Sequence, residues 1–168
     1  MCGWNVGEIK RGDIVMFKQP TDPNAMYMHR VIGLPEETIQ VKGRRVFING
    51  DELPEERALA RLTGSQQADL TVDKVEPKPE GASYRVFYDI ELSSDYDNFN
   101  INPRAVYGVA QPYLIPQGKY FVLGDSRDNS EDSRFWGSVP RDLITAKAIM
   151  IVNSKVKGND ERLFKALK

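Results

Sequence analysis

Short runs of β-forming residues, each closed by turn residues, recur along most of this chain. The clearest pair is Thr38–Val41 and Arg45–Ile48, which lie on either side of a tight Lys42-Gly43 connection. Alternation of apolar and polar residues, together with a glycine in a short link, is typical of a β-hairpin. The pattern therefore predicts a mostly β protein whose strands pair mainly antiparallel.

Other segments extend this pattern on both sides of the hairpin. A loop is predicted at Gln19–Asn24, which has two prolines with turn-forming Asp and Asn. Leu53–Leu62 is predicted to form a short helix, because Glu, Ala, Leu and Arg favour that state. The further predicted strands are Asp13–Lys18, Met26–Gly33, Ser83–Leu92, Lys119–Gly124 and Leu143–Val152.

The strands group into a core that is interrupted by one insertion. Residues 1–50 and 113–154 are predicted to form the β core, because the strand signals are clearest there. Residues 51–112 include a polar stretch with prolines and are predicted to be an inserted second, smaller β region. Residues 155–168 form a C-terminal tail, in which residues 160–168 can add one or two turns of amphipathic helix.

Charge and composition exclude several classes of function. The net charge is −1 and the 23 basic residues are scattered, so no nucleic-acid binding is predicted. One histidine and one cysteine cannot form a usual zinc site, so no metal or cofactor is predicted. The sequence has no run of about 18 apolar residues and no basic leader. If the protein works outside the cytoplasm, its targeting segment is expected to have been removed or to lie on another chain.

The densest group of polar side chains is the segment Gly124–Arg134. It contains four acidic residues, two arginines and three serines directly after a predicted buried strand. A solvated surface loop is the simplest interpretation. However, the strand before it and Phe135–Gly137 after it anchor both ends, and a loop fixed in this way can hold Asp–Arg pairs in place. The segment is therefore a candidate functional loop.

His29 is the only histidine and lies beside Arg30 in an otherwise apolar strand. A neutral imidazole near pH 7 can accept a proton, so His29 is a candidate general base, although a lone histidine in a strand is more often structural. A dyad of Cys2 with His29 is an alternative nucleophilic arrangement. Arg11–Asp13 is interpreted as an ordinary turn before the first strand.

Three blocks, in order, resemble the bacterial type I signal peptidases, the leader peptidases of peptidase family S26. Arg11–Phe17 match that family's Gly-Asp-apolar strand, and Tyr27–Pro35 match the block that holds its lysine base. Gly124–Arg134 match the block Gly-Asp-x-Arg-Asp-Asn-Ser-x-Asp-Ser-Arg almost letter for letter. The third match is the longest and therefore the most specific.

This resemblance implies a fold, an activity and a location. The family consists of membrane-anchored serine endopeptidases that remove signal peptides with a Ser–Lys dyad. The implied fold is a coiled antiparallel β-sheet body, of the type shared with repressor proteases, with an inserted smaller β region. The implied partners are the signal peptides of exported preproteins and the membrane surface. The implied location is the bacterial inner membrane, with the catalytic domain facing the periplasm or the outside.

The resemblance also assigns roles to individual residues. His29 occupies the position of the lysine base, and Ser130 matches the serine whose hydroxyl orients that base. Two ion pairs are implied to support the site, Arg30 with Asp125 and Asp132 with Arg134. The residues implied to line the bound signal peptide are Met26, Tyr27 and Met28, with Met16 across from them.

The chain departs from the family pattern at three places. No serine precedes His29, so the block Ser-Met-x-Pro-Thr with the nucleophile, and the anchor, are expected to lie ahead of this sequence. Histidine replaces lysine, and Glu36-Glu37 stands where Gly-Asp is usual. We therefore expect a signal peptidase I catalytic domain that is inactive as given. The alternative is a non-catalytic relative that binds extended peptides by β-addition along Met26–Met28.

Overall fold

The computed structural model describes residues 6–62, 70–91, 104–109 and 111–149. In this part of the chain one short α-helix, α1, spans Ser133–Trp136. The strands are β1 Ile14–Gln19, β2 Asp22–Gly33, β3 Thr38–Lys42, β4 Arg45–Ile48, β5 Asp51–Glu52, β6 Glu56–Leu62, β7 Leu70–Val75, β8 Arg85–Asp89, β9 Tyr113–Leu114, β10 Lys119–Leu123, β11 Val139–Pro140 and β12 Ile144–Lys147. The prediction of a mostly β fold is confirmed.

The central sheet has five strands in the order β11-β10-β2-β1-β12. All of its neighbouring strands pair antiparallel. In the pair β1–β2, Val15 lies opposite His29 and Met16 lies opposite Met28. Val15 and Phe17 are fully buried whereas Met16 is exposed, because successive residues of a strand face opposite sides of the sheet.

The predicted β-hairpin is confirmed. β3 and β4 pair antiparallel, and β5 and β9 complete a four-stranded sheet in the order β5-β4-β3-β9. This sheet packs on the central sheet through a cluster of large buried side chains, each of which stabilises the fold by about 1.5–3 kcal/mol. The cluster includes Ile32, Ile39, Val46, Ile115 and Phe121. Its packing fixes β2, which carries His29, and β10, which leads into the polar loop.

The predicted helix at Leu53–Leu62 is wrong, because most of this segment is strand β6. β6 pairs antiparallel with β7 and parallel with β8, which gives a third sheet in the order β7-β6-β8. Ala58, Leu59 and Ala60 are all buried there. Pairing along both edges of β6, with burial of both faces, outweighs the helix propensity of Glu, Ala, Leu and Arg.

The predicted loop at Gln19–Asn24 is shorter in the structure. β2 begins at Asp22, which pairs with Gln19, so Pro20 and Thr21 alone connect the two strands. Thr21 Oγ1 donates a hydrogen bond to Gln19 Oε1 across this turn at 2.9 Å. Pro20 has no backbone N–H to donate and is therefore suited to the turn rather than to the ladder.

Two predicted segments are described only in part. The strand predicted at Leu143–Val152 is represented by β12, and residues from 150 onwards, with the predicted tail helix, lie outside the described residues. The strand predicted at Ser83–Leu92 is β8, and residue 92 also lies outside. Among the helices of the described residues, none is long and apolar enough to cross a membrane.

The turn after Pro35 contains Glu36-Glu37, where the family that the sequence resembles usually has Gly-Asp. Glu37 stabilises this turn, because its carboxylate accepts the Leu34 N–H at 2.7 Å and two Arg11 N–H groups at 3.0 and 2.6 Å. Glu36 is exposed and has a left-handed backbone, with φ at 68°. The position that usually holds glycine therefore still has the backbone conformation that glycine favours.

Glu36→Gly is expected to raise the free energy of unfolding by about 0.5–1 kcal/mol, because glycine adopts positive φ without a Cβ penalty. The gain remains after the entropy that glycine adds to the unfolded chain. Urea denaturation of both proteins measures it. Glu36→Ala keeps a Cβ and is the control that should show no gain. A less stable Glu36→Gly protein would contradict this prediction.

Candidate active site

His29 lies on β2 with its ring held among aromatic side chains. The ring centroids of Phe17 and Tyr27 lie 5.7 and 5.6 Å from that of His29. Trp136 continues the cluster, with its ring centroid 5.7 Å from that of Phe17. Because side chains alternate along a strand, His29 and Tyr27 share one face of the sheet with Val15. This apolar face fixes the position of the imidazole.

The polar loop predicted from the sequence returns over His29. After β10 the chain runs through Gly124 and a 3-10 turn at Arg127–Asn129 to Ser130. Ser130 Oγ lies 3.5 Å from His29 Nε2. A Cβ at Gly124 would lie 2.2 Å from this Oγ, so the close approach of the two residues requires glycine. The loop and β2 therefore bring the predicted base and its predicted orienting serine together.

Asp132 is the fully buried acceptor at the centre of this loop. Its carboxylate accepts the side chain of Arg134 at 2.8 Å on both oxygens, and it caps α1 by accepting the Arg134 N–H at 3.2 Å. It also accepts the Gly124 N–H at 3.1 Å, and the nearby Ser130 hydroxyl helps to lower its pKa. Burial alone would raise the pKa of Asp132, but the charge of Arg134 and these hydrogen bonds outweigh it and lower that pKa. Asp132 is therefore ionised.

The contacts of Ser130 favour one tautomer of His29. Ser130 has a single hydroxyl proton, and the ionised Asp132 beside it can only accept, so a hydroxyl that donates to Asp132 leaves its oxygen free to accept. In that arrangement the Ser130 oxygen accepts from an Nε2–H of His29, 3.5 Å away. The other ring nitrogen, Nδ1, is buried and has no hydrogen-bond partner among the described residues. The lone pair that can take a proton is therefore on Nδ1.

The surroundings of His29 keep its ring neutral. Burial lowers the pKa of His29 below its ordinary value of 6.5, and the charge of Asp132 opposes that effect without cancelling it. The positive charge of Arg134 lowers the pKa further, and Asp125 raises it. The imidazole is therefore in its proton-accepting form at pH 7.

His29 is expected to make stability depend on pH just below neutrality. Its pKa is about 6.5 in the unfolded chain and lower in the folded protein, so between these values only the unfolded state binds the proton. The free energy of unfolding is then unaffected above about pH 7 and falls as the pH drops below about 6.5. Urea titrations of the wild type and His29→Gln measure this, and the wild type should lose more stability on acidification. Equal losses in the two proteins would contradict it.

Arg30 and Asp125 form a second ion pair in the site, in addition to that of Arg134 with Asp132. Arg30 Nε and Nη2 donate to the two oxygens of Asp125 at 2.8 and 2.6 Å, and Arg30 Nη1 donates to the Gly12 carbonyl at 2.8 Å. The guanidinium also stacks 4.3 Å from the ring centroid of Tyr84. This paired geometry ties the start of the polar loop to β2.

The residues predicted to line a bound peptide lie on two faces of the sheet. Met26 and Met28 are exposed and, with Met16 opposite Met28, occupy the face away from His29. Tyr27 lies on the same face as His29 and contacts its ring. The structure thus places Tyr27 next to the predicted base, and the three methionines on the far side of the same strand pair.

One edge of β2 has no partner strand next to His29 within the described residues. β10 pairs with β2 only through Arg30, Val31 and Gly33, because the chain leaves the sheet at Gly124. From Asp22 to His29, β1 on the other side of β2 is the one strand of the described ranges that pairs with it. The edge that is left can pair with an extended peptide.

Glu55 and Arg127, to which the sequence alone assigns no role, form a buried ion pair below the polar loop. Arg127 belongs to the loop, but Glu55 lies in the segment that was predicted to be helical. Glu55 stands between Pro54 and Glu56, and nothing in this local sequence identifies a partner that is 72 positions away. Within the described residues, no group of His, Cys, Asp and Glu is arranged to hold a metal ion.

Comparison with known proteins identifies the family. The family model described as "Signal peptidase, peptidase S26" matches residues 2–153, which is most of the chain. The chain therefore belongs to the S26 signal peptidases, as its three sequence blocks predicted.

The relatives within this family are of the type I class. Signal peptidase I of Rickettsia massiliae (strain Mtu5) is 37% identical over 145 residues, which cover 86% of this chain and 52% of that protein. Signal peptidase I of Pseudomonas fluorescens is 33% identical over 142 residues, which cover 83% of this chain and 44% of that protein. The chain thus spans about half the length of these curated relatives. The crystal structure of a signal peptidase I from Enterococcus faecalis V583 aligns with a TM-score of 0.46 and 24% identity, over 84% of this chain and 97% of that chain.

Proposed function

We propose that this chain supplies the general base and the peptide-binding strand of a signal peptidase I, a serine endopeptidase that removes signal peptides from exported preproteins. In the family pattern the nucleophilic serine precedes the base, but the first serine of this sequence, Ser65, follows His29. The nucleophile is therefore proposed to come from a segment outside these 168 residues. By themselves, these residues are therefore proposed to be inactive. The family match and the curated relatives support the reaction class.

The observation that carries this proposal is the free edge of β2 beside the pair His29–Ser130. A peptide that adds to this edge as a strand satisfies its backbone hydrogen bonds, and its alternate side chains point to the two faces of the sheet. One set of side chains then meets the face of Tyr27, and the other meets the face of Met16 and Met28. Small residues such as those of an Ala-x-Ala motif are the proposed occupants.

The proposed chemistry uses the lone pair on His29 Nδ1. The nucleophilic hydroxyl transfers its proton to Nδ1 as its oxygen bonds to the carbonyl carbon of the peptide. The resulting imidazolium is stabilised on its other side, because Nε2–H donates to Ser130 and Asp132 lies next to it with its negative charge. Nδ1 then returns the proton to the leaving amine when the peptide bond breaks. Asp125 and Asp132 support the site through Arg30 and Arg134 without reacting.

The proposal is tested with the complete protein, including the segment ahead of this sequence, in detergent with a peptide that contains Ala-x-Ala. We expect His29→Ala to lower kcat by about 10²–10⁴, the usual contribution of a general base. His29→Lys is the matched variant, because it restores the base of the family. It should retain activity, with the loss of rate on acidification moved to higher pH, since the ordinary pKa of lysine is about 10.4.

Unchanged turnover in His29→Ala would overturn the proposed base. Tight binding of the peptide by the complete wild-type protein without any cleavage would instead support the alternative, a non-catalytic relative that binds extended peptides. The proposed setting is the bacterial inner membrane, with the site facing the periplasm or the outside. The exposed side chains of Met16, Met26 and Met28 support contact with a signal peptide or with the membrane surface.

A further inference from the structure

Glu55 and Arg127 form an ion pair that is shielded from solvent almost completely. The side chain of Glu55 is 0% exposed and that of Arg127 is 2% exposed. Both terminal nitrogens of Arg127 donate to the carboxylate, one of them to Oε2 at 2.9 Å. The Tyr84 hydroxyl donates to Glu55 Oε1 at 2.9 Å, and Arg127 Nη1 donates to the Tyr88 hydroxyl at 3.4 Å. The two charges are therefore fully paired.

Stability alone does not account for this arrangement. Removing two charges from water costs several kcal/mol for each ion, and apolar replacements of such pairs are often neutral or stabilising. Burial by itself would lower the pKa of Arg127, but the charge of Glu55, its hydrogen bond to Arg127 and the two tyrosine hydroxyls together outweigh burial and raise that pKa, so Arg127 stays charged. The contribution of the pair is therefore expected in the geometry that it fixes rather than in the stability that it adds.

Arg127 connects this pair to the active site by two routes. Its Nε donates to the carbonyl of Gly124 at 3.1 Å, and Gly124 is the residue that contacts Ser130. Its own carbonyl accepts Arg134 Nη2 at 2.6 Å, and Arg134 in turn holds Asp132. Both routes end at Ser130, one through the backbone at Gly124 and one through the carboxylate that receives its proton.

The third sheet holds the same loop at further points. The Phe87 N–H donates to the Asp125 carbonyl at 2.8 Å, and Phe87 forms a parallel bridge with Ser126. The Asp89 N–H donates to Asp128 Oδ2 at 2.7 Å. The polar loop therefore pairs with β8 at these points, and the ion pair of Glu55 with Arg127 holds it at a further point.

We infer that Glu55 is a positioning residue, which sets the place of the Ser130 hydroxyl relative to the His29 ring by holding the Arg127 side chain. Its carboxylate touches neither of these two residues. Glu55 acts through Arg127 and then through Gly124 and Asp132. The inference concerns the geometry of the site, and it rests on the proposed function only for its effect on catalysis.

The test uses His29 as a reporter, because it is the only histidine in the chain. The pH titration of its ring is followed by NMR in the wild type, in Glu55→Gln and in the double variant Glu55→Leu/Arg127→Met. The double variant removes both charges together and so avoids an uncompensated buried charge. Glu56→Gln is the matched control, because Glu56 follows Glu55 directly but pairs at 2.9 Å with the exposed Arg85.

In the double variant the pKa of His29 is expected to move toward its ordinary value by about half a unit or more, as the loop loosens and the ring gains water. In the complete protein, kcat should fall about ten- to a hundredfold with KM unchanged. Glu56→Gln should match the wild type in both measurements.

Wild-type titration of His29 in a folded variant would overturn the inference, whatever the activity. Failure of both variants to fold would also overturn it, because the pair would then serve the fold alone. A shifted titration together with an inactive complete wild-type protein would support the inference while the proposed function fails.

Discussion

Asp132→Ala is expected to lower the free energy of unfolding by about 3–5 kcal/mol, the usual cost of removing one partner from a buried ion pair. The Arg134 guanidinium would keep its charge with no carboxylate beside it, at a side-chain exposure of only 13%. The Gly124 N–H and the Ser130 hydroxyl would also lose their acceptor, and α1 would lose its cap. Urea denaturation of this chain with and without the substitution measures this loss.

Asp142→Ala is the control for Asp132→Ala. Asp142 also lies in the first turn of a helical segment, the 3-10 turn Arg141–Leu143, but it is exposed. Its removal should change the free energy of unfolding by no more than about 0.5 kcal/mol. Equal loss of stability in the two variants would show that Asp132 does not hold the polar loop together.

Gly124→Ala is expected to separate Ser130 from His29. The added Cβ would lie 2.2 Å from Ser130 Oγ, 2.6 Å from Ser130 Cβ and 3.6 Å from His29 Cδ2, so Ser130 has to move. Overpacking of this kind typically costs about 1–3 kcal/mol of stability. In the complete protein we expect kcat to fall about a hundredfold, because the group proposed to orient the base is displaced by about an ångström or more. Urea denaturation and peptide turnover measure the two effects.

The double variant Gly124→Ala/Ser130→Gly separates these two consequences. Replacing Ser130 with glycine removes both atoms that the new Cβ would meet, so most of the lost stability should return. Activity should stay low, because no hydroxyl remains to accept from His29 Nε2. Full turnover in Gly124→Ala alone would show that the contact between Ser130 and the imidazole is not needed for catalysis.

The parts of the fold with local signals could be predicted from the sequence. The hairpin β3–β4 needs only alternation and a glycine in a short link, and both are visible in the sequence. β6 could not be predicted in this way. Its residues favour helix locally, and its strand state depends on β8, which follows more than twenty residues later. The ion pair of Glu55 with Arg127 has the same origin, since it forms only when distant segments meet.

The candidate site shows a different limit. The block Gly124–Arg134 identified the loop, because its polar residues are contiguous in sequence. The family resemblance grouped Tyr27 with Met26 and Met28, although the period of two along a strand already separates them onto opposite faces. The tautomer of His29 could not be predicted, because it depends on where Ser130 sends its single proton.

His29 and Ser130 are 101 positions apart, and β1 is completed on its outer side only by β12, near residue 147. During synthesis on the ribosome, the proposed base therefore emerges long before the loop that contacts it. When β2 has emerged, three of the five strands of its sheet, β10, β11 and β12, have still to be made. The contact between His29 and Ser130 therefore forms only once nearly all of the described polypeptide has been translated, and the proposed proton transfer has to wait for the complete sheet.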